Sequence, residues 1–398
     1  MKKRFIPVAA PMLVGNEKAY VIDCLESTWI SSSGQYVGRF EAAFAEFCEA
    51  KHAISCCNGT AALHLALKAL GVGPDDEVIV PTLTFVATAN AVTYCGAYPV
   101  FVDSEPETWN MDPALIEAKI TPRTKGIVVV HLYGHPADMD PILSVARRHG
   151  LFVIEDAAEA HGAEYKGHKV GSMGDLATFS FYGNKIITTG EGGMVTTNDT
   201  ALASRVRQLN GHGIGLDRPY WFPVIGYNYR MTNIAAAIGL AQLEKSDWHI
   251  ERRCQVTAWY RKLLREIPWA VWQTEQYWAK SACWMFTIVL DDRLPLARDD
   301  VTTRLLKEGI ETRPVFYPIH RLPPYLDLSQ SGNFPVAERI AERGISLPTW
   351  AGLANKDVNR ICKKLLACSN KGERREQKIA PHGTGGMSEK ADEVYGTN

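Results

Sequence analysis

Three groups along this 398-residue chain combine residue types and spacing suited to covalent chemistry on a bound ligand. The first is Lys185, set in "TFSFYGNKIITTGEGGMVTTND" between an aromatic run and a glycine-rich one. Loop lysines are usually solvated surface groups. A lysine amine becomes a useful nucleophile where burial lowers its pKa or where imine formation removes its charge, and both require a partly enclosed site. The second group is Glu155-Asp156, delivered by the apolar run of "LFVIEDAAEAHGAEY". An isolated buried carboxylate takes up a proton rather than staying charged, so an acid here needs a cation such as a protonated ring nitrogen, unless it caps the following turn. The third is "SCCNGTAALHLALKAL", where a strand passes through Asn58-Gly59-Thr60 directly into a helix. Glycine admits a close ligand and a helix start offers free N–H donors, so the junction suits a phosphate. Asn58 or Thr60 acting as a simple N-cap is the plain alternative. The GxxxxGK[ST] pattern of a nucleotide loop is absent.

The elements that must position these groups follow from the hydrophobic pattern. "AISCC", "DEVIVP", "YPVFVD", "KGIVVVH", "LFVIED" and "ATFSF" read as strands, and "TAALHLALKAL", "DPALIEAKI" and "DPILSVARRHG" as helices between them. Runs so uniformly apolar suit strands covered on both faces, which predicts an α/β fold with a mostly parallel sheet wrapped by helices. Reactive groups then belong at the carboxyl ends of the strands. A helical pattern from Thr232 through Ile267 reads as one long connector. The expected organisation is a large unit at 1–245 that includes the N-terminal segment, a smaller C-terminal α+β unit at 246–370, and a polar, disordered tail at 371–398.

Composition excludes several classes. Forty-three basic against 44 acidic residues give a net charge of −1, with no electrostatic case for nucleic acid or an anionic membrane. Nine scattered cysteines, with Cys56-Cys57 lacking CxxC spacing, read as reduced thiols of a cytoplasmic protein. Pro7 and Pro11 interrupt the apolar run after the basic start, against a signal peptide. No apolar stretch approaches the roughly 20 residues that span a bilayer. His131 and His135 have i,i+4 spacing, but Gly134 and Pro136 oppose a helix there and no third ligand is evident, so no metal site is expected.

A phosphate seat, a strand-end aspartate and a strand-end lysine converge on pyridoxal 5′-phosphate, which carries a phosphate, a ring nitrogen that must stay protonated, and an aldehyde that condenses with lysine. Gly183, Gly190, Gly192 and Gly193 read as clearance for the bulky planar adduct and for tight turns around it. With these groups in place, the chain resembles the sugar-nucleotide aminotransferases of the DegT/DnrJ/EryC1/StrS family, within the fold-type I pyridoxal phosphate enzymes. The resemblance runs from about Phe5 to Cys368 and rests on "WISSSGQYVGRFE", "NGTAALHLAL", "VIVPTLTFVATANAV", "VIEDAAEAHG", "FSFYGNKIITTGEGGMV", "GYNYRMTNIAAAIGLAQLE" and "TRPVFYPIH".

The resemblance implies roles position by position. Lys185 would hold the cofactor aldehyde and shuttle the substrate proton. Asp156 would pair with the ring nitrogen, and Glu159 would lie near the phenolic oxygen, where many relatives carry glutamine. Gly59, Thr60 and Ser180 would hold the phosphate, Phe85 would stack on the ring, and Asn228 would reach the phosphate of a neighbouring subunit, implying a homodimer with shared sites. Trp29, Ser31, Arg313, Tyr317 and His320, with the "GHGIGLDRPYW" loop, are candidates for the sugar-nucleotide side. The implied reaction transfers an amino group from L-glutamate to a nucleotide-linked 4-keto-6-deoxy sugar, GDP-4-keto-6-deoxy-D-mannose first among them, for a surface polysaccharide or other glycan; UDP- and dTDP-linked sugars are alternatives. The sugar-dehydratase branch of the fold carries histidine where this chain has Lys185, and a non-catalytic binding module would not need Asp156, Ser180 and Lys185 together.

Overall fold

In the computed structural model, which describes residues 4–369 except 216, 217, 219, 330 and 331, the apolar runs pair into one large sheet. Its strands are β1 (His52–Cys56), β2 (Glu77–Pro81), β3 (Tyr98–Val102), β4 (Thr124–Val130), β5 (Phe152–Asp156), β8 (Leu176–Ser180) and β9 (Gly193–Thr197). Two short strands intervene in the chain, β6 (Glu164–Tyr165) and β7 (His168–Lys169). The order across the sheet is β1-β9-β8-β5-β4-β2-β3. Strands β3, β2, β4, β5 and β8 pair in parallel, whereas β9 runs antiparallel to both β1 and β8. All five residues of β2 are buried, as expected of strands covered on both faces.

The flanking helices are α1 (Glu17–Glu26), α2 (Gln35–Phe47), α3 (Gly59–Ala69), α4 (Ala87–Tyr94), α5 (Met139–His149), α6 (Thr200–Asn210) and α7 (Asn233–Leu243). An aromatic core seals α2 to the sheet, with Phe44 edge-on to Phe179 at 4.9 Å and to Phe181 at 5.2 Å. A second sheet, β10 (Ala270–Trp272), β12 (Phe286–Leu290), β14 (Gly344–Leu347) and β13 (Arg313–Pro314), is antiparallel throughout. It packs with α8 (Ser246–Leu264), α9 (Arg298–Lys307) and α11 (Asn355–Ser369) around Tyr260, Val301, Leu305 and Ile361, while α10 (Pro335–Arg343) leads into β14. Strand β11 (Ala279–Lys280) crosses back to pair with β6.

Three expectations are corrected. The helix foreseen over "DPALIEAKI" is two short 3₁₀ turns, Pro113–Leu115 and Glu117–Lys119. Pro113 and Pro122 bracket the segment and leave too few residues to repay helix nucleation. The long connector is two helices, because the backbone leaves the helical path at Lys245, φ −115° and ψ 15°, between α7 and α8. Glu244 is held there by Asn16 Nδ2 at 2.8 Å and the Tyr20 hydroxyl at 2.7 Å, which lets α7 bury against α1 and α2 while α8 turns towards the second sheet. Strand β9 falls on a run read as glycine clearance: a Cβ on Gly193 would collide with the Asn58 carbonyl, and one on Gly192 with the Thr189 and Met231 side chains, so Gly193 permits close backbone packing and Gly192 admits neighbouring side chains. The tail expected at 371–398 lies outside the described residues. The nine cysteines are free, and among the described residues no helix is long and apolar enough to cross a membrane.

Arg253 on α8 ties the segments flanking the second sheet to the lysine loop. Its buried guanidinium donates to the carbonyls of Trp284 at 2.9 Å, Thr349 at 3.0 Å and Lys185 at 3.3 Å. Burial lowers its pKa to about 10, yet the group remains charged at neutral pH. Arg253→Met leaves these carbonyls without donors and is expected to cost roughly 2–5 kcal/mol. The check is a lower denaturant midpoint at unchanged m-value; an unaltered midpoint would show that the arginine holds nothing together.

Candidate active site

Strand polarity brings three chain segments to one cavity of about 520 Å³ at the carboxyl ends of the parallel strands. Its wall includes Gly59, Thr60, Phe85, Asp156, Glu159, Ser180, Lys185 and Arg313, all singled out from the sequence. At the first segment, β1 ends and α3 begins within two residues. Asn58 caps the helix by accepting from the Ala61 N–H at 2.8 Å, so the N-cap reading of this junction holds. The cap leaves the first-turn amides of Gly59 and Thr60, two residues that line the cavity, without intrahelical partners. A Cβ on Gly59 would stand 2.7 Å from Ser180 Cβ, so only glycine lets the helix start lie against the serine at the end of β8.

The second segment separates the two carboxylates of β5. Adjacent strand residues point to opposite faces, and here Glu155 points away from the cavity. It accepts N–H bonds from Gly171 at 2.9 Å, Met173 at 2.8 Å and Gly174 at 2.9 Å, and meets His131 Nε2 at 3.1 Å. Because His131 Nδ1 accepts from the Ala137 N–H at 3.0 Å, its proton lies on Nε2 and is donated to Glu155. Burial raises the Glu155 pKa, but His131 and these amides outweigh it and leave the group below the ordinary glutamate value. His135 bonds the Pro136 carbonyl through Nδ1 at 2.7 Å, so each member of the histidine pair has its own structural partner.

Asp156 faces the cavity. Its carboxylate accepts from the Thr88 hydroxyl at 2.8 Å and the Ala158 N–H at 3.3 Å. Burial pushes its pKa up, against the pull of Thr88, Ala158 and the Lys185 charge. Glu159, three residues on, accepts from the Tyr133 N–H at 2.7 Å, and burial raises it to about 7 despite Lys185 and that bond. Tyr133 enters through a left-handed backbone, φ 56°, and stacks on Phe316 at 5.6 Å.

The third segment leaves β8 at Ser180 and folds into a tight finger, with the Phe181 and Thr189 amides tied across it at 2.8 and 2.9 Å. Lys185 lies on its tip, partly buried, with Nζ 4.2 Å from the centre of the Trp284 ring. The indole N–H of Trp284 donates to the Asn184 carbonyl at 2.9 Å and fixes that ring beneath the lysine. Desolvation lowers the Lys185 pKa, Glu159 and Asp156 raise it in part, and Arg313 lowers it further. Burial thus disfavours the charged form of the amine and of both carboxylates around it.

Sequence reasoning missed Thr88, Tyr133 and Trp284. Thr88 stands three residues after Phe85 on a helix entry and so shares its side, a usable signal; no local pattern marks the other two. Several expected ligand residues are not on the cavity wall. His320 is buried against Phe334, with Nδ1 at 2.6 Å from the Thr82 hydroxyl and Nε2 at 3.0 Å from Glu338, so both nitrogens are engaged structurally. Trp29 and Ser31 have exposed side chains, and their carbonyls accept from Asn233 at 2.7 and 2.6 Å. Tyr317 is exposed, with the Arg298 guanidinium 5.8 Å from its ring centre. Asn228 is exposed on a bridge to Gly211, away from this chain's own cavity. In the "GHGIGLDRPYW" loop, Leu216, Asp217 and Pro219 lie outside the described residues.

The DegT/DnrJ/EryC1/StrS aminotransferase family model matches residues 11–366. This chain belongs to that family. It is 56% identical over 363 residues to the GDP-perosamine synthase of Caulobacter vibrioides, covering 90% of this chain and 97% of that protein. The GDP-perosamine synthase of Escherichia coli O157:H7 is 50% identical over 362 residues, covering 91% of this chain and 98% of the relative. The PLP form of a putative sugar aminotransferase, Spr1654 from Streptococcus pneumoniae, superimposes with a TM-score of 0.86 at 28% identity, covering 92% of this chain and 99% of its own. The protein is a fold-type I, pyridoxal phosphate-dependent aminotransferase. Its residues fit that cofactor: the cavity joins a helix start suited to phosphate, a buried carboxylate suited to a ring N–H, and a depressed lysine amine.

A pH dependence follows from Glu159. Its folded-state value of about 7 lies above the ordinary 4.5, so the folded apoprotein binds more protons than the unfolded chain between those values. Stability is then lost as pH rises through that window, and the penalty is complete above about 7. Glu159→Gln removes the penalty: the apoprotein variant is expected to melt higher than wild type at pH 8, by roughly 2–4 °C for each kcal/mol recovered. The difference should close near pH 4.5, and identical melting curves at pH 8 would refute the assignment.

Proposed function

We propose that this aminotransferase moves an amino group from L-glutamate onto the keto carbon of GDP-4-keto-6-deoxy-D-mannose, giving GDP-perosamine for a surface polysaccharide. The observation that carries the substrate is the 50–56% identity to two GDP-perosamine synthases over nearly their whole lengths. The chemistry is carried by the cavity itself. When bound, the cofactor supplies an aldehyde that accepts the amino group and an electron-withdrawing ring that stabilises charge at the adjoining carbon.

The chain's own residues divide the remaining work. Lys185, with its proton affinity lowered, is the nucleophile towards the aldehyde and the base that moves the substrate proton. Asp156 keeps a proton on the ring nitrogen, and Thr88 and Ala158 fix the orientation of its carboxylate. Ser180 and the first-turn amides of α3 hold the phosphate. Glu159 serves the phenolic oxygen, Phe85 covers one ring face, and Trp284 supports the lysine from below. A homodimer would bring Asn228 of one copy towards the phosphate seat of the other. Exposed Trp29, Tyr220, Trp221, Phe222 and Ile225 offer an apolar surface for such pairing. Nine free cysteines support a cytoplasmic setting. The units at 1–245 and 246–370 correspond in this reading to a cofactor-binding part and a part that closes over the substrate.

Incubation of the holoenzyme with L-glutamate and a panel of GDP-, UDP- and dTDP-linked 4-keto-6-deoxy sugars tests the substrate. The expected result is 2-oxoglutarate release with the GDP sugar at a kcat/KM at least about 100-fold above the others, corresponding to ~2.7 kcal/mol of discrimination. Lys185→Ala should show none of this turnover. Preference for a UDP or dTDP sugar would overturn the nucleotide assignment.

A further inference from the structure

Two of the nine cysteines, Cys254 and Cys283, meet from separate parts of the chain. Cys254 is half-buried on α8, and Cys283 is buried in the segment that leads from β11 into β12. Both sulfurs lie within hydrogen-bonding reach of the Ser281 carbonyl oxygen, at 3.6 and 3.7 Å, and the two thiols hydrogen-bond to each other. Thr257 and Arg261 stand three and seven residues after Cys254 and so share its face of α8. Hydrogen bonds from Cys254 and Thr257, with the Arg261 charge, hold the Cys283 thiol below its ordinary value against burial and Glu275. The same thiol–thiol bond, together with burial, raises Cys254. Cys283 is therefore the sulfur that ionises first, and Cys254 is the neighbour placed to bond to it. A cavity of about 20 Å³ is lined by Thr257, Arg261, Ser281 and Cys283, with room for a molecule of water's size. The charges of Arg253 and Arg261 both act on the pair, and among the described residues no three histidine, cysteine or carboxylate side chains are grouped to hold a metal ion. Such surroundings suit oxidation at sulfur.

We propose that Cys254 and Cys283 are a redox modification site, closed to a disulfide by hydrogen peroxide and reopened by a thiol reductant. The chemistry balances within the pair. The Cys283 thiolate attacks one peroxide oxygen, the O–O bond breaks, and the sulfur becomes a sulfenic acid while the departing hydroxide takes up a proton to form water. The Cys254 sulfur then attacks Cys283, the S–S bond forms, the S–O bond breaks, and a second water leaves with the Cys254 proton. The two thiols have lost two electrons and two protons, and the peroxide has gained them. A covalent S–S bond is shorter than the contact between hydrogen-bonded thiols, so closure draws α8 and the 281–284 segment together. The shift falls on a backbone already in the left-handed region, Cys283 at φ 54°. The neighbours of both sulfurs carry it to the lysine. Arg253, beside Cys254, donates to the Lys185 carbonyl at 3.3 Å, and the ring centre of Trp284, beside Cys283, is 4.2 Å from Lys185 Nζ. The closed disulfide thus loosens the support of Lys185 and weakens the hold on the cofactor.

The test treats the reduced, desalted full-length protein with hydrogen peroxide, blocks the remaining free thiols by alkylation, and reads the digest by mass spectrometry. The expected product is one cross-linked peptide pair that joins Cys254 to Cys283 and is lighter by two hydrogens. The same oxidised protein, titrated with PLP, should show a shifted cofactor absorbance and a half-saturating PLP concentration raised at least about fivefold, the lower end of usual coupling between sites. Dithiothreitol should reverse all three changes. Cys254→Ser should bind PLP as the reduced wild type does, form no cross-link, and pass irreversibly to sulfinic acid at Cys283 under excess peroxide. Cys283→Ala, which lacks the attacking sulfur, should keep its PLP affinity after peroxide. Recovery of both wild-type cysteines in alkylated form, a disulfide between other cysteines, or a Cys254–Cys283 cross-link that leaves absorbance and PLP affinity unchanged each overturns the proposal. Peroxide damage to PLP binding in Cys283→Ala equal to that in wild type also overturns it, by placing the sensitive group elsewhere. The wild-type mapping is decisive even where a variant fails to fold.

Discussion

A carboxylate buried at the end of a strand, with hydroxyl and amide partners but no ion pair to any described residue, is the constraint on which this site depends. Asp156 is 6% exposed and its pKa is pushed up by burial, so the protein alone supports its charge only in part. Thr88 and Ala158 orient the group without neutralising it. A cationic ring nitrogen completes the arrangement and is in turn kept protonated by it. The same low-dielectric enclosure lowers the Lys185 pKa, so one act of burial shifts both groups.

The large sheet exists in a form that makes this enclosure. Parallel pairing of β4, β5 and β8 sends their carboxyl ends to a single edge, and the β5–β8 register sets Asp156 beside Thr178, two residues before Ser180. Glycine is required at Gly59 because the helix start and the serine share one space, and at Gly193 because β9 passes against the Asn58 carbonyl. The second sheet contributes the far wall: Trp284 under the lysine and Arg313 at the mouth. Arg253 connects that wall to the lysine loop through backbone carbonyls, so the Lys185 amine is positioned by both sheets.

Much of this was legible in the chain because the strands are apolar on both faces and end in polar residues at once. The α/β architecture and the grouping of Gly59, Asp156, Ser180 and Lys185 follow from that pattern. Which of Glu155 and Asp156 faces the ligand does not, since a one-residue change of phase exchanges them and only the three-dimensional register decides. Tyr133 and Trp284 were hidden for a related reason. Each reaches the cavity through a left-handed residue, Tyr133 itself at φ 56° and Cys283 at φ 54°, and neither is glycine or asparagine. His320, Trp29, Ser31 and Tyr317 do not line this chain's cavity because loop side chains are directed by distant contacts: Thr82 and Glu338 for the histidine, Asn233 for the "WISSSG" loop. The broken connector between α7 and α8 has the same origin, in Asn16 and Tyr20 holding Glu244.

The central claim is that Lys185 is the residue joined to the cofactor. Reduction of the yellow holoenzyme with borohydride, followed by proteolysis and mass spectrometry, tests it directly. The account predicts one modified site, on the peptide that contains Lys185, with a mass increase equal to the reduced cofactor. Modification of a different lysine, or an unmodified Lys185 in protein that carried cofactor, would contradict it.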